Sequence, residues 1–579
     1  MSSTTTFTLP RDLAAAEGKV NVQIDGKWYR FPKGTRIADA CNSVGAHVPC
    51  FCYHPKLVIA GTCRMCLVEQ GMPPRLAPGQ TPVYDEQGYQ TIQWMPRPII
   101  ACANTVAENM GIRTTSRLTA EARRSVLEFL LTNHPLDCPI CDQAGECKLQ
   151  EYSNDYGQGS HRFTEAKTKK GKNLSVGPRV NLDQERCVLC GRCVRFMRDV
   201  VGDPVLSMSQ RGTFNRITIY PERELDSNYS MNVVDLCPVG ALTSKDFRFK
   251  MRVWFLKSTP TIDVNCGTGT NIDIWTREGV VYRITPRRND AVNECWMPDS
   301  HRLNYKYINS SARLTDPLVR TDAGAPPRAA AWEASLNLAA EQLRKLSPAQ
   351  TAIIASGRMT NEELRMVKLL AERLGVPHLD IVPRMGESDG MLISADRNPN
   401  TNGARLILGL EEPGAGLAAI REGVRDGSIR GLLALGEDLT AEAGFAVQEL
   451  EKLDYLLAVA HSANDTVAAA DVALPGVTFA EKCGTMINVA GRIQRLNCAI
   501  APRAHARDDW SILFELARRL GGEGEINFAS ARDVLLQLTK EHECLSGLTW
   551  GSIGNSGVQV METGVGIPLL ERKNEGNPS

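Results

Sequence analysis

The chain lacks most of the features that assign a protein to a functional class at sight. Its 579 residues contain no run near the ~18 consecutive apolar residues of a membrane span, so no direct membrane span is expected. It has no excess charge of either sign, with 66 lysines and arginines against 66 aspartates and glutamates. That balance gives no electrostatic footprint for nucleic acid or for an anionic membrane. The opening MSSTTTFTLPRD has no basic region followed by an apolar one and carries a single arginine. Neither a secretory signal nor a mitochondrial transit peptide is expected, and residues 1–18 read as a flexible tail. No nucleophile with a base, no proton-transfer dyad and no flavin or nicotinamide site is legible, so no catalytic residue is expected. Residues 315–579 also lack a G-x-G-x-x-G phosphate loop.

Cysteine is abundant, and its placement is lopsided. Thirteen of the 18 cysteines lie between Cys41 and Cys237. A disulfide-stapled secreted protein is small and uses cysteine throughout. Tight C-x2-C spacings at one end of a long chain point instead to metal thiolates in a reducing compartment.

Three constellations stand out. The first is Cys52, Cys63, Cys66 and Cys102, spaced C-x10-C-x2-C-x35-C. Four thiolates, three from one loop and one from afar, suit a [2Fe–2S] cluster. The loop is six residues longer than the plant-type C-x4-C-x2-C. Cys50 is the competing thiol, and the run FCYHP…GTCRMC favours Cys52. The second is His134, Cys138, Cys141 and Cys147, spaced H-x3-C-x2-C-x5-C, which suits a [4Fe–4S] cubane. An imidazole in place of a thiolate makes the cluster one unit less negative and by itself raises its potential. Zinc, which takes three thiolates and one imidazole, is the rival. The third is Cys187, Cys190 and Cys193 with the distant Cys237-Pro238, the bacterial ferredoxin signature for [4Fe–4S]. Residues 194–236 contain no cysteine, so Cys237 is expected to close the same cluster. The remaining seven thiols, Cys41, Cys50, Cys266, Cys295, Cys483, Cys498 and Cys544, form no close pair in sequence and read as small buried hydrophobes.

Local patterns supply the frame. VNVQIDGKWYRFPKG alternates like a strand and carries Asp25-Gly26 as a hairpin turn. Gly71–Gln90 reads as an exposed excursion. AEARRSVLEFLLTN is helical, with Thr119 as its N-cap and Pro135 ending it. The basic run Lys167–Lys172 reads as a solvated linker. Beyond Thr315, TAIIASG, RLILGL, GLLALGEDL and DYLLAVA read as short buried strands alternating with helices, an α/β parallel sheet. The turn ASGRMTNEE offers a helix N-terminus to an anion.

The strings FCYHPKLVIAGTCRMCLVE, NHPLDCPICDQAGECKLQ and GPRVNLDQERCVLCGRCVRF, in that order, resemble the large iron–sulfur subunit of bacterial NADH:quinone oxidoreductase, respiratory complex I. The resemblance covers nearly the whole chain. RITPRRNDAVNECWMPDSHR looks like that family's next small domain, and LPGVTFAEKCGTMINVAGRIQRL like its molybdopterin-oxidoreductase fold. It implies one [2Fe–2S] cluster on Cys52, Cys63, Cys66 and Cys102 and two [4Fe–4S] clusters, one on His134, Cys138, Cys141 and Cys147 and one on Cys187, Cys190, Cys193 and Cys237. Where some members hold a fourth cluster this chain offers Asp263, Cys266, Thr270 and Pro298, with Cys295 nearby. Two thiols do not hold a cubane, so that cluster is expected to be absent and Cys266 a remnant. No molybdopterin is expected, since no cysteine is positioned as a molybdenum ligand.

The fold class expected is multidomain α/β and α+β. After the tail come a β-grasp [2Fe–2S] ferredoxin-like domain (19–103), a histidine-ligated [4Fe–4S] domain (104–176) and a ferredoxin-like [4Fe–4S] domain (177–255). A small domain whose cluster is lost (256–314) and a molybdopterin-oxidoreductase-like α/β domain without molybdenum (315–579) follow. The resemblance implies single-electron transfer from the NADH/flavin module toward quinone, in a peripheral position on the cytoplasmic side of the bacterial inner membrane. The implied partners are the flavin- and NADH-binding subunit, the ferredoxin-like two-cluster subunit and the quinone-module subunits, with no nucleic acid. The alternatives are the diaphorase-side iron–sulfur subunit of an NAD-linked hydrogenase, a formate dehydrogenase, and a zinc-stabilised scaffold.

Overall fold

In β1 (Lys19–Ile24) the alternating Val20, Val22 and Ile24 are buried on one face. Asp25 and Gly26, both at positive φ (46° and 84°), then reverse the chain into β2 (Lys27–Pro32) with Ile24 opposite Lys27. The two-residue turn requires such angles, which is why Asp-Gly sits there. Asp25 adds a brace, because its carboxylate accepts from the Thr114 amide at 2.7 Å.

The computed structural model describes residues 18–574 except 87, 322–324 and 522–526. The tail expected over residues 1–18 lies, save Gly18, outside the described residues. The chain forms two compact units that divide between Trp254 and Phe255.

In the N-terminal unit, β1 pairs in parallel with β6 (Met110–Arg113). The sheet also contains β3 (Leu67–Met72), β4 (Gln93–Trp94) and β5 (Ile99–Ile100), in the order β2-β1-β6-β3-β4 with β5 against β3. Its last strand, β6, thus lies beyond residue 103. Helix α1 (Ile37–Ser43) buries Ile37, Ala38, Ala40 and Cys41 on this sheet. The excursion after β3 is largely exposed, but Tyr89 within it is buried and stacks on Trp28 at 4.0 Å between ring centroids. Helix α2 (Arg117–Asn133) starts three residues earlier than the apolar pattern suggests. Ser116, not Thr119, is its N-cap, accepting from the Thr119 amide.

The run Lys167–Lys172 is not a solvated linker. Lys167 Nζ donates to the carbonyls of Leu131 and Thr132, which the end of α2 leaves without helical partners. Lys170 Nζ donates to the Asn215 carbonyl, and Lys172 pairs with Asp137, Asp183 and Glu185. Charge composition alone does not reveal such partners, because they are 11 to 45 residues away. The rest of the unit consists of α3 (Lys148–Tyr156), a three-stranded sheet of β7 (Leu174–Ser175), β8 (Val180–Leu182) and β11 (Leu242–Ser244), a hairpin of β9 (Leu206–Ser209) and β10 (Arg216–Ile219), and helices α4 (Arg192–Arg195) and α5 (Asn232–Leu236).

The C-terminal unit opens with an antiparallel sheet of β12 (Lys257–Ile262), β13 (Asn271–Arg277) and β14 (Val280–Pro286), followed by helix α6 (Asp299–Leu303). Beyond it lies a seven-stranded sheet. Five strands run parallel, in the order β21 (Val472–Pro475), β20 (Tyr455–Ala460), β19 (Gly431–Leu435), β17 (Thr351–Ala355) and β18 (His378–Ile381). The short antiparallel β15 (Leu318–Val319) and β16 (Arg328–Ala329) complete one edge. Every residue of β17, β19 and β20 is buried, as strands covered on both faces require. RLILGL is no strand: it ends the helix Thr401–Leu408, which stops at Gly409 with φ 76°. A short apolar run does not separate a buried helix end from a buried strand.

Helix Asn361–Leu374 is closed at its start by a capping box between Thr360 and Glu363. Glu363 also pairs with Lys482 at 2.8 Å, and Lys482 reaches Asp509 at 3.4 Å, all three buried. Burial works to lower the Lys482 pKa, but Glu363 and Asp509 together raise it. Lys482→Met strands two carboxylates, and we expect a loss of about 3–5 kcal/mol. A fall in the urea midpoint of the C-terminal unit, followed by hydrogen exchange of β17 and β19, checks this; an unchanged midpoint contradicts it.

Candidate metal centres

The first group of sulfurs sits at the edge of the β1–β6 sheet. Cys52 and Cys63 come from the loop after α1, Cys66 from just before β3, and Cys102 from just after β5. Pairing of β3 with β5, Leu67 opposite Ile100, is what carries Cys102 to the loop. The sulfurs of Cys66 and Cys102 lie 3.3 Å apart, and Cys52 bonds to both Cys102 and Cys63. Contact with the Cys102 thiol holds Cys52 and Cys66 low, while Cys63 and Cys102, each bonded to Cys52, are held high. The Phe51 amide donates to Cys63 Sγ at 3.4 Å. The Cys50 thiol donates to the Tyr53 carbonyl at 3.9 Å, and burial pushes it up to about 11.

The second group is assembled by a helix end. Pro135 bars its predecessor from helical angles, so α2 stops and His134 takes φ −66°, ψ 131°. That turn brings the imidazole to Cys138 and Cys141, which bracket a 3-10 turn, and to Cys147, which caps α3. All four line one cavity. Burial and then the Arg186 guanidinium lower the His134 pKa to about 4, so the ring is neutral and able to donate a lone pair to a metal. Arg186 is held by Asp137 and Asp183. The cavity needs Gly240, where a Cβ would stand 2.2 Å from Cys141 Sγ.

The third group repeats the device. Pro238 ends α5, and Cys237 leaves it at φ −71°, ψ 115°. Cys187 and Cys190 lie on a turn with Leu189 and Gly191 at positive φ (53° and 68°), Cys193 lies in the first turn of α4, and with Cys237 they line one cavity. The Leu189 amide donates to Cys187 Sγ at 3.4 Å, and the amides of Val239, Leu242 and Ala241 face Cys237. Burial pushes Cys187 up to about 12, Cys190 to about 11 and Cys193 well above its usual value.

Members of all three groups share one apolar cluster with Phe51, Met65, Leu127, Leu149, Val239 and Ala241. Arg195 runs through it: its guanidinium donates to the carbonyls of Cys52, Val58, Gly191 and Cys190. Arg192 likewise reaches the carbonyls of Tyr53 and Leu236. Neither arginine is visible in the sequence as part of a site. The donor sets fit iron: four soft or borderline donors per cage, with backbone amides aimed at sulfur and, at Gly240, space that a methyl group would fill.

Of the other thiols, Cys41 is core, pushed up to about 12 by burial. Cys483 and Cys498, by contrast, do form a pair. They flank the hairpin of β22 (Gly484–Ile487) and β23 (Arg492–Leu496), the Cys498 amide donates to Cys483 Sγ at 3.3 Å, and contact between the thiols lowers Cys483 to about 6. Fifteen residues of separation hid that contact. In the C-terminal unit, the helix start offered to an anion is already filled, by Glu363 on the Thr360 amide and by Glu362 on Thr485.

Family models match along the chain. They are a 2Fe-2S iron-sulfur cluster binding domain (17–117), the NADH-ubiquinone oxidoreductase-G iron-sulfur binding region (123–162) and the NADH-quinone oxidoreductase subunit 3 ferredoxin-like domain (177–243). An NADH-ubiquinone oxidoreductase NDSU1/NuoG-like 4Fe-4S domain (256–306) and a molybdopterin oxidoreductase domain (378–519) follow. Fold and sites thus define an iron–sulfur protein built from a 2Fe–2S domain, 4Fe–4S ferredoxin-like domains and a C-terminal molybdopterin-oxidoreductase domain. The 78 kDa subunit of mitochondrial NADH-ubiquinone oxidoreductase from Neurospora crassa is 32% identical over 631 residues, spanning 88% of this chain and 82% of that one. The mitochondrial NADH dehydrogenase [ubiquinone] iron-sulfur protein 1 of Solanum tuberosum is 39% identical over 401 residues, 69% of this chain and 50% of that one. A bacterial relative, an NADH-quinone oxidoreductase subunit from Rickettsia felis, is 38% identical over 356 residues, 62% of this chain and 49% of that one. This chain belongs to the family of the large iron–sulfur subunit of NADH:quinone oxidoreductase. It spans about half the length of several of the curated relatives it matches. Among solved structures, an NAD+-reducing [NiFe]-hydrogenase aligns at a TM-score of 0.33 and 25% identity, over 40% of this chain and 91% of that one, too loosely to argue from.

Gly240→Ala forces its methyl group onto Cys141 Sγ. We expect iron per chain to fall by about four, one cubane, with the other EPR signals of the reduced protein retained. Unchanged iron content would show that the cavity tolerates the methyl group.

Proposed function

We propose that this chain relays single electrons from the NADH/flavin module toward quinone within NADH:quinone oxidoreductase, holding one [2Fe–2S] and two [4Fe–4S] clusters. The observation that carries the reading is the gathering of twelve donors into three cages around one apolar cluster. Cys52, Cys63, Cys66 and Cys102 would hold the binuclear cluster. His134, Cys138, Cys141 and Cys147 would hold one cubane, and Cys187, Cys190, Cys193 and Cys237 the other. When bound, such clusters supply one-electron chemistry by changing iron valence with little rearrangement.

The chain's own residues set the conditions. Burial limits water at most of the donors, Cys138 being exposed, and the amides facing Cys63, Cys187 and Cys237 stabilise negative charge on sulfur. Burial, and then Arg186, keeps His134 neutral, and Arg192 and Arg195 hold the first loop to the third. Burial holds the thiols Cys187, Cys190 and Cys193 protonated without iron, so loading that group releases protons and stabilises the fold together. The C-terminal unit serves as a scaffold without molybdopterin, and the carboxylates filling its helix start support that role. The partners are the flavin- and NADH-binding subunit, the ferredoxin-like two-cluster subunit and the quinone-module subunits. The complex would sit peripherally on the cytoplasmic face of the bacterial inner membrane.

Metal analysis of anaerobically purified protein should give about ten iron per chain, whereas a zinc scaffold would hold roughly three zinc. Cys190→Ala should remove one [4Fe–4S] EPR signal and spare the binuclear one; retention of every signal refutes the ligand assignment. His134→Cys should keep a cubane and move its midpoint potential. No change in any signal would remove His134 from the ligand set.

A further inference from the structure

A fourth group of donors lies in the C-terminal unit, apart from the twelve. Asp263 and Cys266 stand on the loop joining β12 to β13, and His301 on α6. One donor atom from each lies within 4.8 Å of the others, and the three side chains are 1%, 0% and 8% exposed. His301 Nδ1 meets Asp263 Oδ2 at 2.6 Å, while Asp263 Oδ1 accepts from the Asn265 amide at 3.3 Å. The Cys266 thiol points to the Leu392 carbonyl at 3.6 Å.

We propose that Asp263, Cys266 and His301 form a mononuclear divalent-metal site of the zinc type, which ties the β12–β13 loop to α6. Three arguments lead there. The donor set is one sulfur, one nitrogen and one oxygen, a mixture that zinc accepts and that the oxygen-seeking magnesium and calcium do not. Charge balances: a thiolate and a carboxylate against a dication leave a neutral centre, which an interior this dry demands. The geometry is within reach, since donors around a tetrahedral zinc stand roughly 3.3–3.7 Å apart. Opening the Asp263–His301 contact by under ~1 Å and drawing in the thiol achieves that. On binding, Cys266 loses its thiol proton to solvent, and the proton between Asp263 and His301 leaves Nδ1, to solvent from a charged ring or to Nε2 in a neutral one, so that His301 binds as a neutral imidazole. Three protein donors leave the fourth position to water, and they fall short of the four that a cubane takes. Asn265, held in turn by Asn304, orients the carboxylate from behind.

The test uses the full chain with its iron–sulfur clusters, purified anaerobically and dialysed against a mild chelator. Wild type should retain one zinc per chain beyond its iron, with a zinc-edge absorption spectrum fitted by one sulfur and nitrogen or oxygen neighbours. Cys266→Ser, His301→Gln and Asp263→Asn should each lower bound zinc at least tenfold while iron per chain and the cluster EPR signals stay unchanged. Because a variant that misfolds would lose metal for another reason, the wild-type spectrum stands as an independent arm: a zinc shell of sulfurs only, or no zinc at all, overturns the proposal. So do zinc retention in all three variants and a loss of four iron in Cys266→Ser. Failure here leaves the twelve-ligand reading intact, since that rests on iron content and EPR.

Discussion

One buried guanidinium organises the N-terminal unit. Arg195 donates to carbonyls on two loops that are more than 130 residues apart in sequence, Cys52 and Val58 on one and Cys190 and Gly191 on the other. Burial works against its charge, and any negative charge that Cys190 and Cys52 take up works for it. The two sulfur groups and the arginine that positions them therefore depend on one another. A lysine would not span four carbonyls, because only the planar fork of arginine offers five donors in fixed directions.

The same economy appears where helices end. His134-Pro135 and Cys237-Pro238 both place a metal-type donor at the last residue before a proline. The proline forces an extended angle on that donor, which swings it out of the helix and toward its partners. Loops that carry several donors use left-handed residues for the same purpose, Leu189 and Gly191 in the third group. Burial holds the thiols Cys187, Cys190 and Cys193 protonated at neutral pH, so iron binding and deprotonation are coupled there.

The C-terminal unit follows a different logic. Its parallel sheet is buried on both faces, and the buried charges near the start of helix Asn361–Leu374 are partnered within the unit: Glu363 and Asp509 by Lys482, and Glu362 by Thr485. The exceptional place is Asp263, Cys266 and His301, where three donors converge on one point.

How much of this was legible in the sequence follows from the range of each interaction. The cysteine spacings, the Asp25-Gly26 turn, the His134-Pro135 and Cys237-Pro238 pairs and the alternating βα pattern are local, set by backbone sterics and covalent distance, and the sequence by itself determined them. Contacts between residues far apart in the chain leave no mark on either partner. Arg192 and Arg195 as clamps, Lys167 to Lys172 as a brace, Ser116 rather than Thr119 as a cap, the Cys483–Cys498 contact and the helical end at Leu408 were decided only when tertiary structure supplied the other half. A thiol announces a metal through its neighbours in sequence, whereas a guanidinium or a histidine declares its role only through neighbours in space.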